Sequence, residues 1–171
     1  MQPSQRNLNV FFFFIYSVLG WVFEIAYCLM IDGEFVNRGY LHGPYCPIYG
    51  FGALLILNLI RPFARSAVTV FVTAVVTCTL LEYVTSWYME LVFGVQLWDY
   101  SSYLLNYEGR VCLWNSLLFG VLAVAVVYGF QPFVVRVLQK IPERARPVLA
   151  IGVVAVMLLD FFSVSFGFSF S

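Results

Sequence analysis

The stretch V10-F-F-F-F-I-Y-S-V-L-G-W-V-F-E-I-A-Y-C-L-M-I31 is an apolar run of about 22 residues that contains a single acid, Glu24. A bilayer's hydrocarbon core is about 30 Å thick, and a helix needs about 20 apolar residues to cross it. The run is longer than the apolar part of a secretory signal peptide, and no A-x-A cleavage pattern follows it. It therefore predicts an uncleaved membrane helix.

The composition of the whole chain agrees with this interpretation. The 171 residues are 62% hydrophobic and 11% charged, with a mean hydropathy of +0.88. A soluble domain has about 45–50% apolar and about 25% charged residues. The net charge is zero, so there is no basic field of the kind that binds nucleic acid. These values predict an all-α integral membrane protein.

Five segments are apolar enough to be transmembrane helices, and they predict a single polytopic membrane domain over residues 1–171. Their approximate bounds are 9–31, 46–60, 67–91, 111–130 and 148–168. The second segment is short, and prolines and glycines crowd its start: Pro44, Pro47, Gly50 and Gly52. Such interruptions predict a broken or re-entrant outer end that lines a cavity, or else a tight outer turn.

The distribution of basic residues predicts the orientation. With the N-terminus in the cytoplasm, seven basic residues lie on the cytoplasmic side: Arg6, Arg61, Arg65, Arg136, Lys140, Arg144 and Arg146. The outer side then has only Arg38 and Arg110. Because cytoplasmic loops carry the excess of Lys and Arg, we expect the N-terminus inside and the C-terminus outside.

Acidic residues inside the predicted helices are the strongest functional signal, since each charge costs about 2.5–3.5 kcal/mol at mid-membrane. The first helix has Glu24 on a stripe with Ser17, Gly20, Tyr27 and Cys28. The third has a stripe of Thr79, Glu82, Ser86 and Glu90, and the fifth has Asp160 and Ser163. Arg38 and Arg110 are the expected partners. Two interpretations remain open: an ion-pair network that fixes helix packing, or a polar cavity for a ligand, ion or proton.

The two outer loops share features that leave an internal repeat open. Each has an arginine beside a glycine, Arg38-Gly39 and Gly109-Arg110, with a cysteine soon after, Cys46 or Cys112. Helices one and two, and helices three and four, are then candidate copies of one unit. The same two cysteines leave a disulfide open.

Several kinds of chemistry lack their sequence signatures. No second histidine accompanies His42, so we predict no metal site, and no catalytic residue or cofactor is assigned. No Walker A pattern occurs, so any ATP must be hydrolysed by another chain. The basic segment 131–147 is explained by topology and anionic lipid, or by docking of a cytoplasmic partner.

Several blocks resemble a family of bacterial membrane proteins, the CmpB-type ABC-transporter permeases. They are F13–E24, F35–G52, L81–E90, W98–S101 and G109–G120, and the resemblance covers roughly residues 10–130. It implies a multi-helix protein of the bacterial inner membrane with a role in ATP-driven transport. The motif matches and the helix stripes together indicate these substrate- or ion-binding candidates: Glu24, Asn37, Arg38, Tyr45, Tyr49, Glu82, Ser86, Glu90, Asp99, Tyr100, Arg110 and Asn115.

The resulting hypothesis is a transporter or ABC-permease-like subunit with an acid- and arginine-lined cavity in the outer half of the membrane. The expected partners are the lipid bilayer, a separate cytoplasmic ATPase contacting residues 131–147, and a second copy of the chain that helps to enclose the path. One alternative is a membrane-embedded enzyme acting on a lipid or lipid-linked substrate, with paired carboxylates as acid and base. Another is a non-catalytic membrane partner or sensor.

Overall fold

The computed structural model describes residues 3–31, 33 and 39–166, without the side chains of residues 3–6 and 31. The chain is 73% helical with almost no sheet, as predicted. The helices are α1 (Pro3–Ile31), α2 (Pro47–Ile60), α3 (Ala67–Phe93), α4 (Leu113–Gln139) and α5 (Arg146–Ser165). Two short strands, β1 (Asn106–Tyr107) and β2 (Val111–Cys112), pair antiparallel before α4.

Four of these helices, α1, α3, α4 and α5, are long and apolar enough to cross a membrane. Helix α2 is apolar but shorter: at about 1.5 Å per residue it extends only about 21 Å. The chain is therefore a multi-pass membrane protein, as predicted. The number of crossings and the orientation stay predictions.

Of the two alternatives left open for the start of α2, a broken end or a turn before the helix, the structure has the turn; whether this end re-enters the membrane stays a prediction. The helix begins at Pro47 and continues without interruption through Gly50 and Gly52, so the irregular backbone lies entirely before it. In that segment the Tyr45 amide donates to the Gly43 carbonyl at 2.8 Å, and the Cys46 amide donates to the Ser17 carbonyl of α1 at 2.9 Å. These bonds satisfy backbone groups that no regular helix pairs.

Helix α4 extends beyond its predicted end at residue 130. A π-helical turn, Val126–Phe130, is followed by regular helix to Gln139. Pro132 suggests a helix stop from sequence because proline cannot donate to the carbonyl four residues earlier. The wider turn, in which the Gln131 amide donates to Val126, takes up this misfit. The predicted loop 131–147 is therefore mostly helical.

The described residues form two compact units. The first runs up to Phe51 and resumes at Val135, and α1 packs there against α5 around Leu41, Tyr45 and Met157. The second, Gly52–Val134, has a core that includes Val70, Ala74, Ala123 and Val127. The single domain predicted over residues 1–171 stays a prediction.

Candidate functional site

The first polar group joins α1 to the first turn of α2. The Tyr49 hydroxyl donates a hydrogen bond to Glu24 Oε1. The Tyr49 ring lies directly against Gly20, where an added Cβ would overlap the ring. Ser17, Gly20 and Glu24 are three and four residues apart, so they share one face of α1. The small residues let α2 approach, which brings the phenol to the carboxylate.

Cys46 lies beside this pair and is buried. Burial, and then the negative charge of Glu24, raises the pKa of its thiol to about 12. A thiol in this environment is no nucleophile near neutral pH, because the thiolate is the reactive form. All four cysteines of the chain are free thiols, so Cys46 and Cys112 are not joined in this structure.

The second polar group surrounds Asp160 on α5, which was noted in the sequence but not among the candidate residues. Its Oδ2 accepts from the Tyr45 hydroxyl at 2.6 Å and the Gly43 amide at 2.9 Å. Its Oδ1 lies 3.0 Å from His42 Nδ1. Burial, and then the hydrogen bond and charge of Asp160, raises the pKa of Tyr45. Asp160 therefore anchors the segment that leads into α2.

The third polar group lies in the second unit, along the predicted stripe of α3. Glu82 is only 3% exposed, and its Oε1 accepts from the Tyr100 hydroxyl at 3.0 Å. One turn further along α3, the buried Ser86 Oγ accepts from Arg110 Nη1 at 3.3 Å. One more turn along, Glu90 pairs with Arg110 Nη2 at 2.6 Å. The predicted partnership of Arg110 with an α3 acid is present in the structure.

Glu108, which the sequence did not single out for this site, completes the group. It lies in the tight turn Tyr107–Arg110, where Glu108 and Gly109 have φ values of 53° and 66°. Its carboxylate accepts from the Tyr83 hydroxyl at 2.9 Å and lies 3.5 Å from Arg110 Nε. A non-glycine residue with positive φ is uncommon. No local sequence pattern predicts a positive φ at Glu108, so the sequence did not indicate that this turn brings the Glu108 carboxylate to Arg110.

The segment before this turn is held by its own polar side chains. Trp98 Nε1 donates to the Arg110 carbonyl at 2.8 Å, and the Tyr100 amide donates to the Gly109 carbonyl at 2.7 Å. Asp99 Oδ1 accepts from the Ser101 amide at 2.8 Å and from its hydroxyl. Asp99, a predicted site residue, thus shapes the loop that presents Tyr100.

Acidification is expected to loosen this loop. The two Ser101 hydrogen bonds lower the pKa of Asp99. Their stabilisation is therefore present above the unfolded-state pKa and is lost as the pH falls through the lower, folded-state value. Hydrogen exchange should show weaker protection of the Ser101 amide there. Asp99→Asn should remove this pH dependence, and an unchanged acid response in that variant would contradict the assignment.

The remaining predicted residues are not all placed. Asn37 and Arg38 lie outside the described residues. Asn115 is half-buried in the first turn of α4, next to Ser116, whose Oγ accepts from Thr79 Oγ1 at 2.7 Å. Among the described residues, no three His, Cys, Asp or Glu side chains are grouped so that they could hold a metal ion.

A model of a known protein family matches most of the chain. The family model described as "Putative ABC-transporter type IV" (ABC_trans_CmpB) matches residues 11–165. The chain belongs to this family. The match extends past the predicted resemblance over 10–130 and takes in Asp160 and the whole of α5. Searches of curated proteins and of solved structures gave no match.

Family membership and the apolar helices together indicate a transporter-like membrane protein. The ABC_trans_CmpB label also implies ATP-driven transport, although the sequence of this family member has no Walker A pattern.

Proposed function

We propose that the chain is the membrane subunit of a transporter, whose intramembrane acids bind a cationic cargo or protons during transport. The observation that carries the proposal is the position of Glu24 in a membrane-crossing helix with a neutral hydrogen-bond partner, Tyr49. Within the described residues Glu24 makes no ion pair.

Placing an ionised carboxylate in hydrocarbon costs free energy. A tyrosine hydroxyl stabilises a carboxylate but does not cancel its charge. An acid at such a position is neutralised by a proton, a cation or a basic side chain. Acids in membrane helices are for this reason commonly part of ion pathways and proton relays. This favours a transport role for Glu24 over a packing role.

The group around Arg110 supports the same proposal. Two carboxylates, Glu90 and Glu108, share one guanidinium, which leaves a net negative charge. Both acids are about half exposed, whereas Arg110 is mostly buried. Such a group attracts cations from the surrounding water. In the proposal it forms part of the acid- and arginine-lined cavity in the outer half of the membrane, and Arg38 is its other basic residue.

The remaining candidates have supporting roles in this proposal. Tyr49 and Tyr100 hold the carboxylates of Glu24 and Glu82, and Ser86 orients Arg110. Tyr45 and Asp99 maintain the loops, and Asn37 and Asn115 offer amide groups to the cargo.

The source of energy is proposed to be a separate cytoplasmic ATPase that contacts residues 131–147. Exposed basic residues line the end of α4 and the turn after it: Arg136, Lys140 and Arg144. These side chains are exposed to the surroundings, so a partner chain can contact them. A second copy of the chain is proposed to help enclose the path, in the bacterial inner membrane.

Replacing Glu24 by glutamine is expected to lower transport at least about tenfold, which is about 1.4 kcal/mol in the barrier. Glutamine keeps the size of the side chain and accepts from Tyr49, but it cannot exchange a proton or balance a cation. The measurement is ATP-driven flux into or out of proteoliposomes that contain the chain and its ATPase.

Glu143→Gln is the matched control, because Glu143 is an exposed acid in the turn between α4 and α5 and forms only a loose pair with Arg146. Because Glu143 lies within the proposed contact segment 131–147, its flux is compared at equal amounts of bound ATPase, and there it should equal that of the wild type. Wild-type flux in Glu24→Gln would refute the role of this carboxylate. Product formed from a lipid substrate in detergent micelles, with no vesicle and no gradient, would favour the enzyme hypothesis instead.

A further inference from the structure

Two π-helical turns occupy matching places in the chain. The first, Ile56–Ile60, ends α2, and the second, Val126–Phe130, lies within α4. Each begins six residues after a buried glycine, Gly50 in α2 and Gly120 in α4. Fewer than about 1% of residues are in π-helices. Two such turns at the same distance from a buried glycine therefore suggest that the two segments have a common origin.

The two glycines also contact residues at corresponding positions of the preceding helix. A Cβ added at Gly50 would meet Phe13 and Ser17 of α1, and one at Gly120 would meet Phe71 and Val75 of α3. In both helices the two contacted residues are four apart and begin with phenylalanine. Each glycine therefore marks a point at which the second helix of the pair closely approaches the first.

This register matches Glu24 with Glu82. Glu24 follows Phe13 by eleven residues, and Glu82 follows Phe71 by eleven. Burial agrees at four further positions of this register, although Glu24 itself is half-buried where Glu82 is buried. The four buried pairs are Phe12 and Val70, Tyr16 and Ala74, Gly20 and Cys78, and Cys28 and Ser86. The sequence left a repeat open from features of the loops, and the structure adds this register within the helices.

We infer that α1–α2 and α3–α4 are two copies of one helical hairpin, and that their matching acids, Glu24 and Glu82, are two equivalent proton-binding sites. The inference rests on the proposed function, since it identifies the proton as what these carboxylates take up. It also gives the carboxylate–tyrosine pair, rather than the carboxylate alone, as the functional unit.

A tyrosine hydroxyl donates a hydrogen bond to each of the two acids, and this shared feature supports a function for the carboxylate–tyrosine pair. Tyr49 immediately precedes Gly50, and the matching position before Gly120 is Phe119, which has no hydroxyl. Glu82 nevertheless accepts from a tyrosine, Tyr100 of the connecting segment. If the hydrogen bond had no function, the second hairpin would have lost it when phenylalanine occupied position 119. The same bond supplied from another position indicates that the bond itself matters.

The packing favours a proton over a larger ligand. The Tyr49 ring is pressed against Gly20 beside Glu24, so no space for an organic cation lies between the ring and α1. A proton needs no cavity. Among the described residues, the titratable neighbours include Cys46 and Tyr49 at Glu24, and Tyr100 and Cys78 at Glu82. Beyond these, Arg110 and its acids Glu90 and Glu108 lie one to two turns from Glu82 along α3.

Infrared difference spectroscopy of the purified chain in lipid vesicles, across a pH step, tests the inference without any transport. We expect two carbonyl bands from protonated carboxyl groups in an apolar environment, one lost in Glu24→Gln and the other in Glu82→Gln. Tyr49→Phe should shift only the first band and Tyr100→Phe only the second, in the same direction, because each loses one donated hydrogen bond. Glu143→Gln should leave both bands unchanged.

A band at only one of the two acids would overturn the equivalence, as would a tyrosine variant that leaves its own band in place. A step in sodium or potassium concentration at constant pH should leave both bands unchanged, and a change there would replace the proton by a metal cation. If both bands behave as expected while Glu24→Gln transports normally, the duplicated sites stand and the proposed function fails.

Discussion

Asp160→Ala is expected to lower the free energy of unfolding by about 3 kcal/mol. The substitution removes the acceptor of the Tyr45 hydroxyl and the Gly43 amide, and the partner of His42. Hydrogen bonds to a charged group contribute about 1.5–3 kcal/mol each, and a buried donor left unpaired costs about 1–3 kcal/mol. The Tyr45 side chain is buried, so water cannot fully replace the acceptor that its hydroxyl loses.

The measurement is reversible unfolding of the purified chain in mixed micelles. Asp160→Asn is the finer probe, because it keeps the shape and one acceptor oxygen but loses the charge, and its loss should be smaller. Glu143→Ala is the control for removing an acid, since exposed pairs contribute about 0–1 kcal/mol. A loss from Asp160→Ala no larger than that of the control would show that Asp160 does not anchor the segment before α2.

Gly50→Ala and Gly120→Ala are each expected to cost about 1–3 kcal/mol, the usual range for overpacking. The new Cβ at Gly50 would lie 2.6 Å from the Phe13 carbonyl oxygen, and the one at Gly120 would lie 2.7–2.8 Å from Phe71 and Val75 side-chain atoms. Backbone cannot rotate away as a side chain can, so Gly50→Ala should be the more damaging of the two.

Gly152→Ala is the matched control, because it is a glycine in the interior of α5 with nothing within 4 Å of its added Cβ. Its stability should stay within about 1 kcal/mol of the wild type, since alanine is the better helix former. The same unfolding assay serves all three variants. Equal stability of Gly50→Ala and Gly152→Ala would contradict the close packing of α2 on α1.

The long apolar helices were predictable because hydrocarbon thickness sets helix length, and apolar runs can be counted directly in a sequence. The stripes were predictable because residues three and four apart share a helix face. Glu24 does face a neighbouring helix, and Ser86 and Glu90 both reach Arg110. The end of α4 was less predictable, since a proline suggests a stop unless a π-helical turn precedes it.

The partners of the acids were harder to predict. Asp160 meets His42, Gly43 and Tyr45 across more than 110 residues of chain, and no local pattern links them. Tyr100 reaches Glu82 from a loop whose shape depends on Asp99 and on the turn at Glu108 and Gly109. The sequence predicted arginines as the partners, and Arg110 does pair with Glu90. It did not predict the tyrosine hydroxyls that donate to Glu24, Glu82 and Asp160.

The sequence by itself determined that this is a multi-pass helical membrane protein, and which helices contain acids, because the cost of transfer into lipid depends on each residue and its neighbours along the chain. The tertiary structure decided what each acid touches. For Glu24 that choice depends on how closely α1 and α2 approach at Gly20 and Gly50, and for Glu82 and Asp160 it depends on where the connecting segments lie. Both depend on contacts between residues distant in sequence.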